Sequence, residues 1–77
     1  LLDTSLRRLE AGRVAAAIAT LPADQRSVLI MRDIQGYSGR MVADALGLST
    51  AAMKSRLHRA RSAVRNTLHQ SQGGHDD

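Results

Sequence analysis

Apolar residues recur along this chain at helical spacing, and no stretch alternates apolar with polar residues at the two-residue period of a strand. Leu2, Leu6 and Leu9 share one helical stripe. Val14, Ile18 and Leu21 form a second, rotated from the first around Gly12, which predicts a kink or a frayed turn at that glycine. Pro22 suits the first position of a new helix, where its missing N–H is no loss, and Asp24 falls in the first turn, where it complements the dipole. Val28, Leu29, Met31 and Ile34 predict a broad buried face for that helix, and Gly36 predicts its left-handed end.

Two helices joined by a glycine turn come next. Ser38 predicts an N-cap, and Tyr37 before it is spaced to pack on Val42 as a hydrophobic staple. This third helix ends near Leu46, Gly47 permits a tight turn, Leu48 repeats the staple against Met53, and Ser49 caps a fourth helix. Small Ala43, four residues before Gly47, allows the close, steep crossing of a helix-turn-helix. The fourth helix is predicted from about Thr50 to about His69, roughly 30 Å at 1.5 Å per residue. Its inward stripe is Met53, Leu57, Ala60 and Val64, and its other side carries Ala51, Lys54, Ser55, His58, Arg59 and Ser62. The expected fold is all-α: a small four-helix domain containing a helix-turn-helix with a long basic recognition helix. It occupies residues 1–70, and the ending from Ser71 to Asp77, with two glycines and no periodicity, is expected to be a disordered tail.

A chain of 77 residues holds one small domain, with a core that is marginal at this size. The absence of Cys removes disulfides, thiolate zinc sites and thiol nucleophiles together, and suits a reducing, cytoplasmic setting. No apolar run approaches the roughly 20 residues of a membrane span, so membrane insertion is not expected. The chain opens at Leu1 with neither a Met nor a signal-peptide pattern, and is expected to be a fragment of a longer parent.

The net charge is +4, and its placement matters more than its size. Between Ser49 and Gln72 stand five bases (Lys54, Arg56, Arg59, Arg61, Arg65) and no acid, whereas residues 1–48 carry six bases and five acids. The positive field belongs to the fourth helix, as a polyanion-binding element requires, although a charge run taken alone more often means a solvated face. DNA's major groove admits one helix and offers donors and acceptors to its side chains, while phosphates demand cations. Lys54, Ser55, His58 and Arg59 are placed for base edges, and Arg56, Arg61 and Arg65, further round or along, for phosphates. Small Thr50, Ala51 and Ala52 let the helix start approach closely.

Other chemistry finds little support. His58, His69 and His75 have no metal-ligand spacing, so neither metal nor cofactor is expected. Ser38 and Ser49 are accounted for by capping, and with Asp44 and His58 they have no enclosed pocket in a domain this small; no catalytic residue is assigned and the chain does not read as an enzyme. Met31 and Met53 read as core, while Met41, at a helix start, marks an apolar spot suited to a partner.

LPADQRSVLIMRDIQGYS followed by VADALGLSTAAMKSRLHRARSAVRNTL resembles region 4 of sigma-70 family sigma factors of the extracytoplasmic-function group, over Leu21 to about Leu68. The sharpest piece is KSRLHRAR, Lys54 to Arg61. The resemblance implies a domain that reads the promoter −35 element, with Lys54, Ser55, His58 and Arg59 as the reading residues. It further implies that other surfaces bind the β flap of RNA polymerase core or are masked by an anti-sigma factor. After the serine, members usually show an aromatic, two acids and Ile, where this chain has Gly39, Arg40, Met41 and Val42. An acid at Met41 closes a capping box with Ser38, and its absence removes about 0.5 to 1 kcal/mol. Arg40 opposes the dipole, yet suits a phosphate contact. Two alternatives stay open: a sigma-like module that sequesters an anti-sigma factor without reading DNA, and the DNA-binding domain of a response regulator. The altered Gly39–Val42 segment speaks for the first. The bases of KSRLHRAR speak against the first, and the LPADQR start together with the KSRLHRAR helix against the second.

Overall fold

A computed structural model describes the backbone of residues 2–73 and the side chains of residues 8–70. Four α-helices follow in order: α1 (Leu2–Ala19), α2 (Ala23–Leu29), α3 (Gly39–Leu46) and α4 (Thr50–Gly73), with a π-helical turn (Ile30–Ile34) continuing α2. The all-α, four-helix expectation holds.

α1 runs unbroken through Gly12, which corrects the predicted kink. One glycine weakens a helix by about 1 kcal/mol relative to Ala without breaking it, and the alanines around Gly12 are strong helix formers. Ala17 and Ile18 are the buried residues of α1 among those described. Of the first stripe, Leu9 is 65% exposed, and the side chains of Leu2 and Leu6 lie outside the described residues. At the end of the helix the Thr20 hydroxyl donates to the Ala17 carbonyl at 2.6 Å, and Arg26 Nη1 donates to the Ala19 carbonyl at 3.3 Å. A cation thus sits on the negative end of α1, where the dipole favours it.

Pro22 stands one position before the predicted one, as the N-cap of α2 (φ −56°, ψ 149°), with its carbonyl accepting the Arg26 N–H at 2.9 Å. Val28 and Leu29 are buried, Met31 is half-buried, and Ile34 is 62% exposed, so the predicted face was drawn too wide. Even in a regular helix Ile34 stands about 120° to 140° round the axis from Val28 and Leu29. The wide turn itself was not foreseen. Gln35 N–H donates to the Ile30 carbonyl five residues back at 2.8 Å, and Tyr37 N–H closes on Met31 at 3.0 Å across the left-handed Gly36 (φ 80°).

The helix-turn-helix follows the predicted caps. Ser38 Oγ accepts the Met41 N–H at 3.1 Å, and Ser49 Oγ accepts the Ala52 N–H at 3.0 Å. Between them Gly47 is left-handed (φ 68°); Leu48 N–H reaches the Ala43 carbonyl at 2.8 Å and Gly47 N–H the Asp44 carbonyl at 3.3 Å. These two bonds are the Schellman pair that satisfies the end of α3. Gly39 opens α3 above the Met53 side chain: a Cβ there would lie 2.8 Å from Met53 Cε. α4 extends to Gly73, past the expected end near His69, and residues 74–77 of the predicted tail lie outside the described residues.

The core is one aliphatic seam. Ile18, Leu21, Val28, Leu29, Val42, Ala43, Met53, Leu57 and Ala60 form it, with Val64 and Leu46 among the half-buried residues at its edge. No polar or charged side chain is buried among the described residues. The molecule measures 40 × 33 × 15 Å along its principal axes.

Candidate nucleic-acid interface

The core stripe of α4 fixes what its other faces present. Met53, Leu57 and Ala60 are buried, which turns Lys54, Ser55, His58 and Arg59 outward, and all four are exposed. They fall at i, i+1, i+4 and i+5, so they share one flank of the first turns. None makes a side-chain hydrogen bond or ion pair among the described residues. The four predicted base-edge candidates are therefore brought together and left open. Ala51, also exposed, keeps the helix start low, and Ser49 ties off one of its free N–H groups.

The predicted phosphate set is divided by the structure. Arg40 is exposed on the first turn of α3, a helix with no acid in that turn. Arg65 is exposed too, but lines an apolar groove with Val64 and Leu68. Arg61 has an intramolecular partner instead of an open side: its Nε donates to Asp33 Oδ2 at 2.8 Å and its Nη2 to Asp33 Oδ1 at 2.6 Å. The hydrogen bonds from Arg61 hold the Asp33 carboxyl below its usual value, against the opposing effect of its partial burial, and the pair raises Arg61 in turn. Arg56 Nε stands 3.9 Å from Asp24 Oδ2, a looser contact.

The Asp33–Arg61 pair escaped the sequence reading because its members are 28 residues apart and join only when α2 packs on α4. The available signal was an acid four residues after core Leu29 and a base next to core Ala60. No group of His, Asp or Glu that holds a metal occurs among the described residues, and no helix among them is long and apolar enough to cross a membrane. His75 lies outside the described residues.

Two grooves border the bundle, and neither is lined by Lys54 to Arg59. The larger, about 530 Å³, runs between α1, the wide turn and the second half of α4, over Val14, Ile18, Leu29, Ile34 and Val64, with Asp33 and Arg61 in its wall. The smaller, about 310 Å³, lies over Ala15, Ala19, Arg26 and Ile30. Both share Ile18 and the exposed Ile34, which stands as a ridge between them.

Comparison with known proteins agrees with this arrangement. The probable RNA polymerase sigma factor RfaY of Xanthomonas campestris pv. campestris is 44% identical over 62 residues, 79% of this chain and 16% of its own length. The ECF RNA polymerase sigma factor SigG of Mycobacterium tuberculosis is 47% identical over 49 residues, 64% of this chain and 13% of its own. The RNA polymerase sigma factor CnrH of Cupriavidus metallidurans is 40% identical over 57 residues, 74% of this chain and 30% of its own. The chain thus spans less than a third of the length of each of these relatives. The family model for sigma-70, region 4, matches residues 11–64, from the middle of α1 through the core stripe of α4, and the chain belongs to that family.

Proposed function

We propose that this chain is the promoter-reading end of a sigma factor, which recognises the −35 element and so directs RNA polymerase to initiate transcription. The observation that carries this reading is the exposed, unpaired face of Lys54, Ser55, His58 and Arg59 on a helix with no acid from Thr50 to Gly73. Arg59 and Lys54 have the donor chemistry for guanine O6 and N7, and Ser55 and His58 supply short donors between them. Arg40 and Arg65 contact the phosphates on either side, with Arg56 free to swing from its loose acid. The domain acts by binding, without catalysis of its own, in the cytoplasm where the polymerase works.

RNA polymerase core is the protein partner on this reading, through its β flap, and the apolar grooves beside Ile34 offer the surface for it. An anti-sigma factor covering the same grooves excludes the polymerase. The match to sigma-70 region 4 favours this reading over a response-regulator domain.

The test is a fluorescence-anisotropy titration of the chain against a duplex carrying an AAC-type −35 element and a scrambled control, at two salt concentrations. Preference for the first duplex, with affinity falling as salt rises, supports promoter reading. Equal binding to both removes it. No binding at low salt transfers the function to capture of an anti-sigma factor.

A further inference from the structure

Arg56 and Arg61 are two of the five bases of α4, yet each reaches an acid of the same domain. They are five residues apart, so they leave α4 about 140° apart round its axis, on opposite flanks of the core stripe. Their acids, Asp24 and Asp33, sit near the start of α2 and in the wide turn that ends it. α2 therefore passes beneath α4 from one flank to the other, with an acid–base contact at each side. The two contacts are unequal: the Asp33 pair is bidentate, with both bonds under 3 Å, and the Asp24 contact is a single one at 3.9 Å.

The seam between these helices is smooth. It is built from aliphatic and small side chains, Val28, Leu29, Leu57 and Ala60, without a buried polar group to fix one angle of roll. Apolar contact is non-directional, so such a seam tolerates small rotations of α4 about its own axis. A bidentate guanidinium–carboxylate pair is directional, because both N–H groups must lie in the carboxylate plane. Base reading needs that direction: a donor displaced by about 1 Å loses its bidentate match to a base edge, whereas a phosphate contact tolerates the shift.

We propose that Asp33 and Arg61 form a positioning pair that sets the roll of α4, and with it the discrimination between DNA sequences, while Arg61 itself touches no phosphate. The proposal rests on the DNA-reading function above and replaces the phosphate role that position alone suggests for Arg61. The π-helical turn belongs to the same device, since it carries Asp33 beyond the last regular turn of α2 to the flank where Arg61 waits.

The experiment compares the wild-type chain with Asp33→Asn, Arg61→Gln, the double variant and the charge-swapped Asp33→Arg/Arg61→Asp. Each is titrated on the AAC-type and scrambled duplexes over a salt series, with circular dichroism melts to establish folding. Both residues are partly exposed, so the isosteric Asp33→Asn keeps the fold. The expected result is a loss of preference of roughly three- to tenfold in each single variant, no further loss in the double, and partial recovery in the swap. Binding to the scrambled duplex and the salt slope remain those of wild type, because no phosphate contact is removed. A phosphate-binding Arg61 gives a different result, with Arg61→Gln weakening both duplexes and lowering the slope by about one contact while Asp33→Asn does neither; that outcome overturns the proposal. Undiminished preference in Asp33→Asn, with a wild type that discriminates, overturns the proposal alone. A wild type that binds both duplexes alike removes the DNA reading and the positioning role together.

Discussion

Replacing Met41 by Glu is expected to stabilise the domain. Met41 is the third residue of α3, its N–H already bonds Ser38 Oγ, and the first turn holds no acid. A glutamate here reaches back to the Ser38 N–H and completes a capping box. It also places a negative charge on the positive end of the helix, beside the unfavourable Arg40, for about 0.3 to 1 kcal/mol. The cap bond adds a gain of about 0.5 to 1 kcal/mol. Against this stands the apolar contact of a methionine that is 55% exposed, part of which the glutamate methylenes retain. The two residues have similar helix propensity, so the net gain is about 1 kcal/mol. For a domain of this size that raises the thermal midpoint by about 4 to 8 °C. Paired melts followed at the helical circular dichroism band measure it. Met41→Gln separates the contributions, since it keeps the reaching bond and drops the charge; about half the gain is expected from it. An unchanged or lowered midpoint for Met41→Glu shows that the methionine contact outweighs the cap, and a full gain from Met41→Gln shows that the dipole contributes nothing.

Three further outcomes are expected. The same Gly→Ala change has opposite signs at two sites: at Gly47, left-handed with open space around it, it destabilises by about 1 kcal/mol, whereas at Gly12, inside α1, it stabilises by about 0.5 to 1 kcal/mol, both read from urea midpoints. Arg59→Ala costs about 1 to 3 kcal/mol on a preferred duplex and relaxes its sequence preference, while Arg65→Ala weakens all duplexes alike; equal losses for both would contradict the base-reading assignment. Because Asp33 is held below its usual 3.8, its contribution is present above that value and lost as pH falls through the lowered one. The difference in thermal midpoint between wild type and Asp33→Asn, an exposed pair with a contribution of at most about 1 kcal/mol, therefore stays constant from about pH 7 to pH 5 and closes only in stronger acid.

The parts of the fold written locally were legible. Ser38, Ser49, Gly36 and Gly47 each act on a backbone a few residues away, and each does in the structure what its position predicts. The stripe of Met53, Leu57 and Ala60 was equally plain, because its i, i+4, i+7 spacing is written within one helix. Gly12 misled because a glycine has two meanings in a helical stretch, and the choice between a break and a tolerated defect depends on the surrounding alanines. The wide turn after α2 has no side-chain signature, since it is an extra residue in the backbone hydrogen-bond ladder. At the candidate site, Lys54, Ser55, His58 and Arg59 were found because helix periodicity alone turns them outward. The pairing of Arg61 was not legible for the converse reason: its angular position resembles that of Lys54, and only the arrival of Asp33 from another helix distinguishes the two.

The aliphatic seam has one more implication, for how such a domain changes over generations. The residues that hold it together and the residues that face outward on α4 are disjoint sets, and no outward residue among Lys54, Ser55, His58 and Arg59 is tied to the body by a hydrogen bond or ion pair among the described residues. Substitution at those four positions is therefore close to neutral for folding, within the half kilocalorie or so typical of open surface sites, roughly 0.5 kcal/mol. On the proposed DNA-reading role, a gene copy can drift to a new target sequence without passing through an unfolded intermediate, and a library randomised at those positions alone should consist mostly of folded proteins. A small scaffold with little stability to spare remains free to diversify because the residues it presents outward on that helix are not the ones that keep it standing.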